Sequence, residues 1–270
     1  MTRSVNGSTG VDTEPTGGKM AHTEPISAIW YDSVERAVQQ MRDDLALPRD
    51  LSDHARAGLF SPFHFHRVFR NVTATTPGRF LAALRIAEAQ RLLIRSPLRV
   101  TDIAPQVGYS SLSTFTTQFT RLVGLPPQRF RLLATELGDQ PLTDLVDRAA
   151  TRPPVDGVRV LVDGAEEGML FVGLFRHGIP QGAPASCAAR RGPGLVRLPR
   201  PNDGQYHALA VCFTPNVRVS DSLDYQYDCR AVAAEPITLP MASPGTTFRL
   251  TLRSPRPTDP PIVLAMALLR

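Results

Sequence analysis

The sequence has few cysteines and no long apolar segment, and these two absences narrow the class of protein. Its 270 residues include only three cysteines, Cys187, Cys212 and Cys229. An odd number at no metal-binding spacing indicates free thiols in a reducing cytoplasm. No uncharged apolar run approaches the roughly 18 residues of a transmembrane helix, so we predict no membrane segment. The first 25 residues are rich in Gly, Ser and Thr and lack the apolar core of a secretory signal, which indicates a disordered tail.

Positive charge is concentrated in one part of the chain. The formal net charge is only +5, yet residues 60–135 carry ten arginines against two acidic residues. Such a concentration is typical of a protein that binds a polyanion, although the charge alone is equally compatible with a solvated face.

The hydrophobic pattern divides the chain into two halves. Up to about residue 135, apolar residues recur at three- and four-residue spacing, which predicts helices. Beyond residue 155, short alternating or β-branched runs predict strands at 158–162, 169–175, 206–213 and 246–252. We therefore predict an α+β multidomain chain: a disordered tail at 1–26, an all-α domain at 27–135, an acidic and Pro-rich linker at 136–154, and an all-β, sandwich-like domain at 155–270.

The helical half contains an internal duplication. Gly-Leu-Phe-Ser at 58–61 is followed by Phe65 and Phe69, and Gly-Tyr-Ser-Ser at 108–111 is followed by Phe115 and Phe119. In both copies the phenylalanines come four and eight residues after the serine, and a proline comes sixteen residues after it. Each copy is interpreted as a short helix, a tight turn and a second helix capped by the serine, which is a helix-turn-helix motif.

The second helix of the first copy has two distinct faces. Its apolar residues form one stripe: Phe65, Val68, Phe69 and Val72. About 200° round the helix, the opposite face presents Phe63, His66, Arg67 and Arg70. Arginine matches the acceptors of guanine, histidine can bond to base edges, and phenylalanine can contact a thymine methyl group. A merely solvated face, the alternative, explains neither the charge excess nor the duplication.

The second copy presents mainly hydroxyl groups. Its outer face offers Ser113, Thr114, Thr117 and Arg121. Hydroxyls can bond to bases or phosphates but discriminate poorly between bases. We therefore expect this unit to anchor the protein on the DNA more than to specify the sequence. Between the copies, the uninterrupted helical pattern of residues 78–95 predicts one continuous helix of roughly 27 Å. That length approaches the ~34 Å turn of B-DNA, so the two recognition helices could enter successive major grooves of a non-palindromic site.

Together these motifs resemble the AraC/XylS family of bacterial transcription regulators. The landmarks are Ser-Pro-Phe-His-Phe-His-Arg at 61–67, Pro-Gly-Arg-Phe at 77–80, Val-Gly-Tyr-Ser-Ser at 107–111 and Gly-Leu-Pro-Pro-Gln-Arg-Phe-Arg at 124–131. The resemblance implies a seven-helix, two-headed DNA-binding domain that usually activates transcription beside RNA polymerase. It assigns base contacts to Phe63, His66 and Arg67 in the first head and to Ser113, Thr114 and Thr117 in the second. Many members carry Arg where this chain has Thr117, and most place the sensory domain first.

Contacts to the DNA backbone are predicted beside these base contacts. The residues assigned to phosphates are Ser61, Ser111, Arg121 and Arg129. His64 and His66 lie two residues apart on a helix and therefore cannot chelate one metal ion together. Cys187 is interpreted as a plain cysteine, with a reactive thiol as the alternative. No metal, cofactor or catalytic residue is predicted.

The β half is similar, over residues 198–210, to a strand of transthyretin-like or carbohydrate-binding-like modules. The alternative is an ordinary sandwich strand with a buried Tyr206.

The hypothesis joining these observations is a cytoplasmic, nucleoid-associated regulator that binds double-stranded DNA and works with RNA polymerase. Its β domain would sense a small-molecule effector or form a homodimer. The alternative is a bifunctional protein whose β domain is an enzyme or a purely structural dimerisation module. The β half contains no Gly-x-Ser-x-Gly elbow, paired-His metal motif or P-loop.

Overall fold

The computed structural model describes residues 24–47, 61–149, 157–164, 167–224, 230–231, 235–239 and 247–263. The predicted tail up to residue 23, Cys229 and the predicted first helix of the first motif (within 51–60) lie outside these residues. Among the helices described, none combines the length and the apolar character needed to cross a membrane.

Seven helices form the N-terminal half of the described chain. They are α1 (Glu24–Asp43), α2 (Pro62–Thr73), α3 (Pro77–Arg95), α4 (Val100–Gln106), α5 (Leu112–Val123), α6 (Pro127–Leu137) and α7 (Leu142–Ala149). Proline occupies the first position of α2, α3 and α6, where its missing N–H costs no hydrogen bond. The predicted continuous helix over 78–95 is confirmed as α3, whose 19 residues span roughly 28 Å.

The segment predicted as a linker contains an ordered, packed helix. Helix α7 lies within residues 136–154, and its Leu142 and Val146 are buried in the same cluster as the second helix-turn-helix unit. The backbone N–H of Leu142 also donates to the carbonyl of Val217, at 2.9 Å. Two apolar residues four positions apart are a short helical signal, and the acidic residues around them masked it in the composition.

The C-terminal half of the chain contains two β-sheets. The elements are β1 (Gly157–Asp163), β2 (Met169–Phe175), β3 (Ser186–Arg191), β4 (Gly194–Pro199), β5 (Gly204–Phe213), α8 (Val219–Ser222), β6 (Arg230–Ala231), β7 (Glu235–Leu239) and β8 (Thr247–Thr251). One sheet has the order β4-β1-β8, and in the other β2 lies between β3 and β5, while β6 and β7 both pair with β5. The β1–β8 pairing is parallel, and the other pairings are antiparallel. All four predicted strands are confirmed.

Strand β2 joins the β region to the helical region. One of its faces, with Leu170 and Val172, lies in a buried cluster that both sheets share. The other face, with Met169 and Phe171, lies in the cluster that contains Phe115 of α5. All seven residues of the strand are therefore buried, which explains why this run is apolar without alternation. The two halves of the chain share a core.

Candidate nucleic-acid interface

Helix α2 separates a buried apolar face from an exposed polar one. Phe65, Val68 and Phe69 are fully buried, and the ring centroid of Phe69 lies 5.5 Å from that of Phe65 and 5.5 Å from that of Phe80 on α3. On the opposite side, the Phe63 side chain is 92% exposed.

The other predicted base-contacting residues of α2 lie beside Phe63. Arg67 and Arg70 are exposed, and His66 is half-buried. Within the described part of the chain, neither arginine forms an ion pair. The structure thus brings together the four residues assigned to the first recognition face, with both guanidinium groups available to an acceptor.

The start of each recognition helix is held by a serine cap. The Ser61 hydroxyl accepts from the backbone N–H of His64, and the Ser111 hydroxyl accepts from that of Thr114, each at 3.4 Å. Both serines are exposed. Because each oxygen accepts from the backbone, the hydroxyl hydrogen can still be donated to a phosphate.

Helix α5 repeats the architecture of α2 fifty residues later. Phe115 and Phe119 are fully buried, and their centroids lie 5.7 Å apart; Phe119 then contacts Phe130 at 5.6 Å. This triplet has the same sequence spacing as Phe65, Phe69 and Phe80. The duplication predicted from the sequence is therefore a duplication of packing.

The outer face of α5 is also exposed, as predicted. Ser113, Thr114 and Thr117 are exposed, and so are Arg121 and Arg129. The Arg121 guanidinium donates to the side-chain oxygen of Gln118 at 2.6 Å, which holds it along the helix surface.

The turn before α5 brings the two units together. Gly108 has φ +84°, and a Cβ at this position would lie 2.6 Å from the carbonyl oxygen of Leu45. The Arg85 guanidinium donates to that same oxygen at 2.8 Å and lies over the Tyr109 ring. Burial lowers the pKa of Arg85, which sits between the two units and links them.

Half of the arginines behind the charge excess bond to backbone carbonyls or to acidic side chains. Arg131 donates to the carbonyls of Leu93 and Leu98, and Arg95 forms ion pairs with Asp221 and Asp224. Arg85 holds the turn, Arg91 pairs with Glu88 on its own helix, and Arg99, just before α4, pairs with Asp102. The remaining five are all exposed: Arg67, Arg70, Arg79, Arg121 and Arg129. The count of arginines cannot separate these groups, because the partners of Arg85, Arg95 and Arg131 come from distant positions.

A loop of the β region, residues 176–182, reaches both recognition helices. The N–H of Gly182 donates to the carbonyl of Leu122 on α5, at 2.7 Å. Gly178 lies so close to Ala74, just after α2, that a Cβ there would be 2.4 Å from the Ala74 Cβ. We did not predict this contact from the sequence, where two glycines in His-Gly-Ile-Pro-Gln-Gly at 177–182 are its only signal.

Comparison with known proteins assigns the helical region to a family. A family model described as a helix-turn-helix domain matches residues 55–132. The transcriptional activator AarP of Providencia stuartii is 32% identical over 125 residues, which cover 46% of this chain and 90% of AarP. The chain belongs to the AraC family of transcription regulators.

Other relatives match over similar lengths. The bifunctional transcriptional activator/DNA repair enzyme AdaA of Bacillus subtilis (strain 168) is 27% identical over 121 residues, 45% of this chain and 54% of AdaA. The chain thus spans about half the length of AdaA. A structure of a transcriptional regulator with an AraC-type DNA-binding domain, from Chromobacterium violaceum, is 22% identical and covers 41% of this chain and 99% of that one, with a TM-score of 0.39.

Proposed function

We propose that this AraC-family chain is a sequence-specific activator of transcription that reads two successive major grooves of double-stranded DNA. The observation that carries the proposal is the exposed face of α2, where Phe63 is 92% exposed beside Arg67 and Arg70 while the other face is fully buried. An exposed apolar ring on this face can contact the methyl group of thymine. The adjacent guanidinium groups suit the acceptors of guanine in the major groove.

The two heads have different tasks in this proposal. The first specifies the site through Phe63, His66, Arg67 and Arg70. The second offers the hydroxyls of Ser113, Thr114 and Thr117, which bond to either base or phosphate oxygens and discriminate little. Backbone phosphates are held by Ser61, Ser111, Arg121 and Arg129, all of which are exposed.

Substitution of Arg67 tests the proposal. We expect Arg67→Ala to weaken binding to the preferred site by about 1–3 kcal/mol and to relax the preference at one or two base pairs. Arg197→Ala is the matched control, because Arg197 is an exposed arginine on β4 outside both heads. Selection of bound duplexes from a random library gives both quantities. An unchanged motif and affinity for Arg67→Ala would show that α2 does not read bases.

We propose that the β region is a sensory or oligomerisation domain. We propose that its two sheets form a sandwich, supported by the buried cluster that contains residues of both. A transthyretin-like or carbohydrate-binding-like fold for this region stays a prediction. The whole chain would act in the cytoplasm at the nucleoid, beside RNA polymerase and as a homodimer.

No catalytic function is assigned to the β region. The candidate for an enzymatic alternative is Cys187, whose side chain is exposed. Desolvation raises the pKa of this thiol, which lowers its thiolate fraction at neutral pH. A nucleophilic cysteine needs the opposite shift, so Cys187 does not support the enzyme hypothesis.

A further inference from the structure

A cavity of about 600 Å³ lies in the β region where β2 ends and β5 begins. Its polar lining includes Arg176, His177, Gln181, Arg200 and Tyr206. This volume falls within the range of sites that hold small organic molecules.

The polar lining of the cavity is cationic. Arg176 lies over the ring of Tyr206, with its guanidinium carbon 5.4 Å from the ring centroid. The Tyr206 ring is fixed because its hydroxyl donates to the carbonyl of Asn202 at 2.7 Å. Arg200 pairs with Asp203 at 3.0 Å on the exposed side. Of the described residues that line the cavity, none is acidic.

Further groups indicate what else a ligand must provide. The side-chain oxygen of Gln181 is buried and accepts no hydrogen bond from any described residue. A buried acceptor of this kind needs a hydrogen-bond donor, which a ligand in the cavity can supply. Phe175 and Ile179 supply apolar surface at the same wall. Desolvation and then the positive charges of Arg79, His207 and Arg176 lower the pKa of His177, consistent with an electropositive site.

We propose that this cavity binds a small organic anion, a carboxylate or phosphate ester with a hydrogen-bond donor. Its acid group is held by Arg176 and Arg200, because guanidinium groups bind such oxyanions through paired hydrogen bonds. Its donor group bonds to Gln181, and its apolar part covers Phe175. The ligand is a free metabolite rather than a segment of DNA.

The position of the cavity couples this ligand to the recognition helices. The loop that contributes Arg176, His177 and Gln181 also contacts α2 through Gly178 and α5 through Gly182. A ligand that shifts this loop therefore shifts both helices, and by linkage the DNA changes the affinity for the ligand by the same factor. This step rests on the proposed DNA-binding function, whereas the anion site does not.

Calorimetric titration of the full chain with 4-hydroxyphenyl phosphate, whose phenol supplies the hydrogen-bond donor, tests the site. We expect Arg176→Gln and Arg200→Gln each to weaken binding about tenfold and the double variant to abolish it. Arg197→Gln and Arg67→Ala are controls for charge on β4 and on the recognition face, and both should bind as the parent does. Undiminished binding by the double variant, or none to the parent at about 10 mM probe, overturns the proposal.

The same titration with a DNA duplex present separates the two sources of an anion. If DNA displaces 4-hydroxyphenyl phosphate and the double variant also loses DNA affinity, the cavity holds a backbone phosphate and the metabolite assignment is wrong. Otherwise, saturating probe should change the Kd for DNA at least about threefold. Gly178→Ala, which pushes the loop off Ala74 but leaves the Gly182–Leu122 hydrogen bond, should reduce that change; no change in the parent refutes the coupling. If the parent binds the probe but no DNA, only the proposed function fails.

Discussion

Phe63 and Phe65 lie two residues apart on α2, and the structure predicts opposite consequences for their removal. Phe65 is fully buried and packs on Phe69, so Phe65→Ala should cost about 3–5 kcal/mol of unfolding free energy. A typical domain has only about 5–15 kcal/mol in total. Phe63 is 92% exposed, so Phe63→Ala should change stability by no more than about 0.5 kcal/mol.

For DNA affinity we expect the reverse order. When the affinity is expressed per folded molecule, Phe63→Ala should weaken binding more than Phe65→Ala does. Loss of the Phe63 contact with a thymine methyl group should reduce the binding free energy by about 1 kcal/mol, which raises Kd about fivefold. Urea unfolding followed by circular dichroism measures the first quantity, and fluorescence anisotropy with a labelled duplex measures the second. The assignment of faces is refuted if Phe63→Ala unfolds as readily as Phe65→Ala, or if it binds DNA as tightly as the parent.

Three further outcomes follow from the same geometry. Arg121→Ala and Arg129→Ala should each reduce the slope of log K against log salt by about 0.9, and an unchanged slope would remove that residue from the phosphate contacts. Deletion of residues 150–270 uncovers the cluster shared with β2, so the melting temperature by circular dichroism should fall by at least about 5 °C; an equal midpoint would contradict a shared core. Desolvation lowers the pKa values of His177 and His207, so the unfolded chain binds protons at a higher pH than the folded one. Stability to urea should therefore decrease as the pH falls below about 6.5, and less steeply in His177→Gln/His207→Gln.

Local patterns were sufficient to predict the recognition helices and several strands. The spacing of Phe65 and Phe69, repeated by Phe115 and Phe119, reports burial directly because an α-helix brings residues four apart onto one side. For strands β3 and β4 we made no prediction. Strand β3 contains Arg190 and Arg191 after two alanines and shows no apolar alternation, and the alternation of β4 covers only Val196, Arg197 and Leu198, which is too short to predict a strand.

Contacts between the two halves were not predictable in the same way. The unbroken apolar run of β2 indicated a buried strand, but no local pattern states that its second face covers α5. The ion pairs from Arg95 to Asp221 and Asp224 join residues more than 120 positions apart. Such partners depend on how the two regions pack. The acidic and Pro-rich composition of residues 136–154 predicts a linker, and no local pattern shows that Leu142 and Val146 are buried there.

The central claim is that one chain reads an asymmetric DNA site with one specifying and one anchoring head. Selection of duplexes bound by the full chain from a random library tests it most directly. We predict one tightly specified half-site and, about one helical turn away, a second half-site of much lower information content. Two half-sites of equal information content, or no enrichment at all, would contradict it.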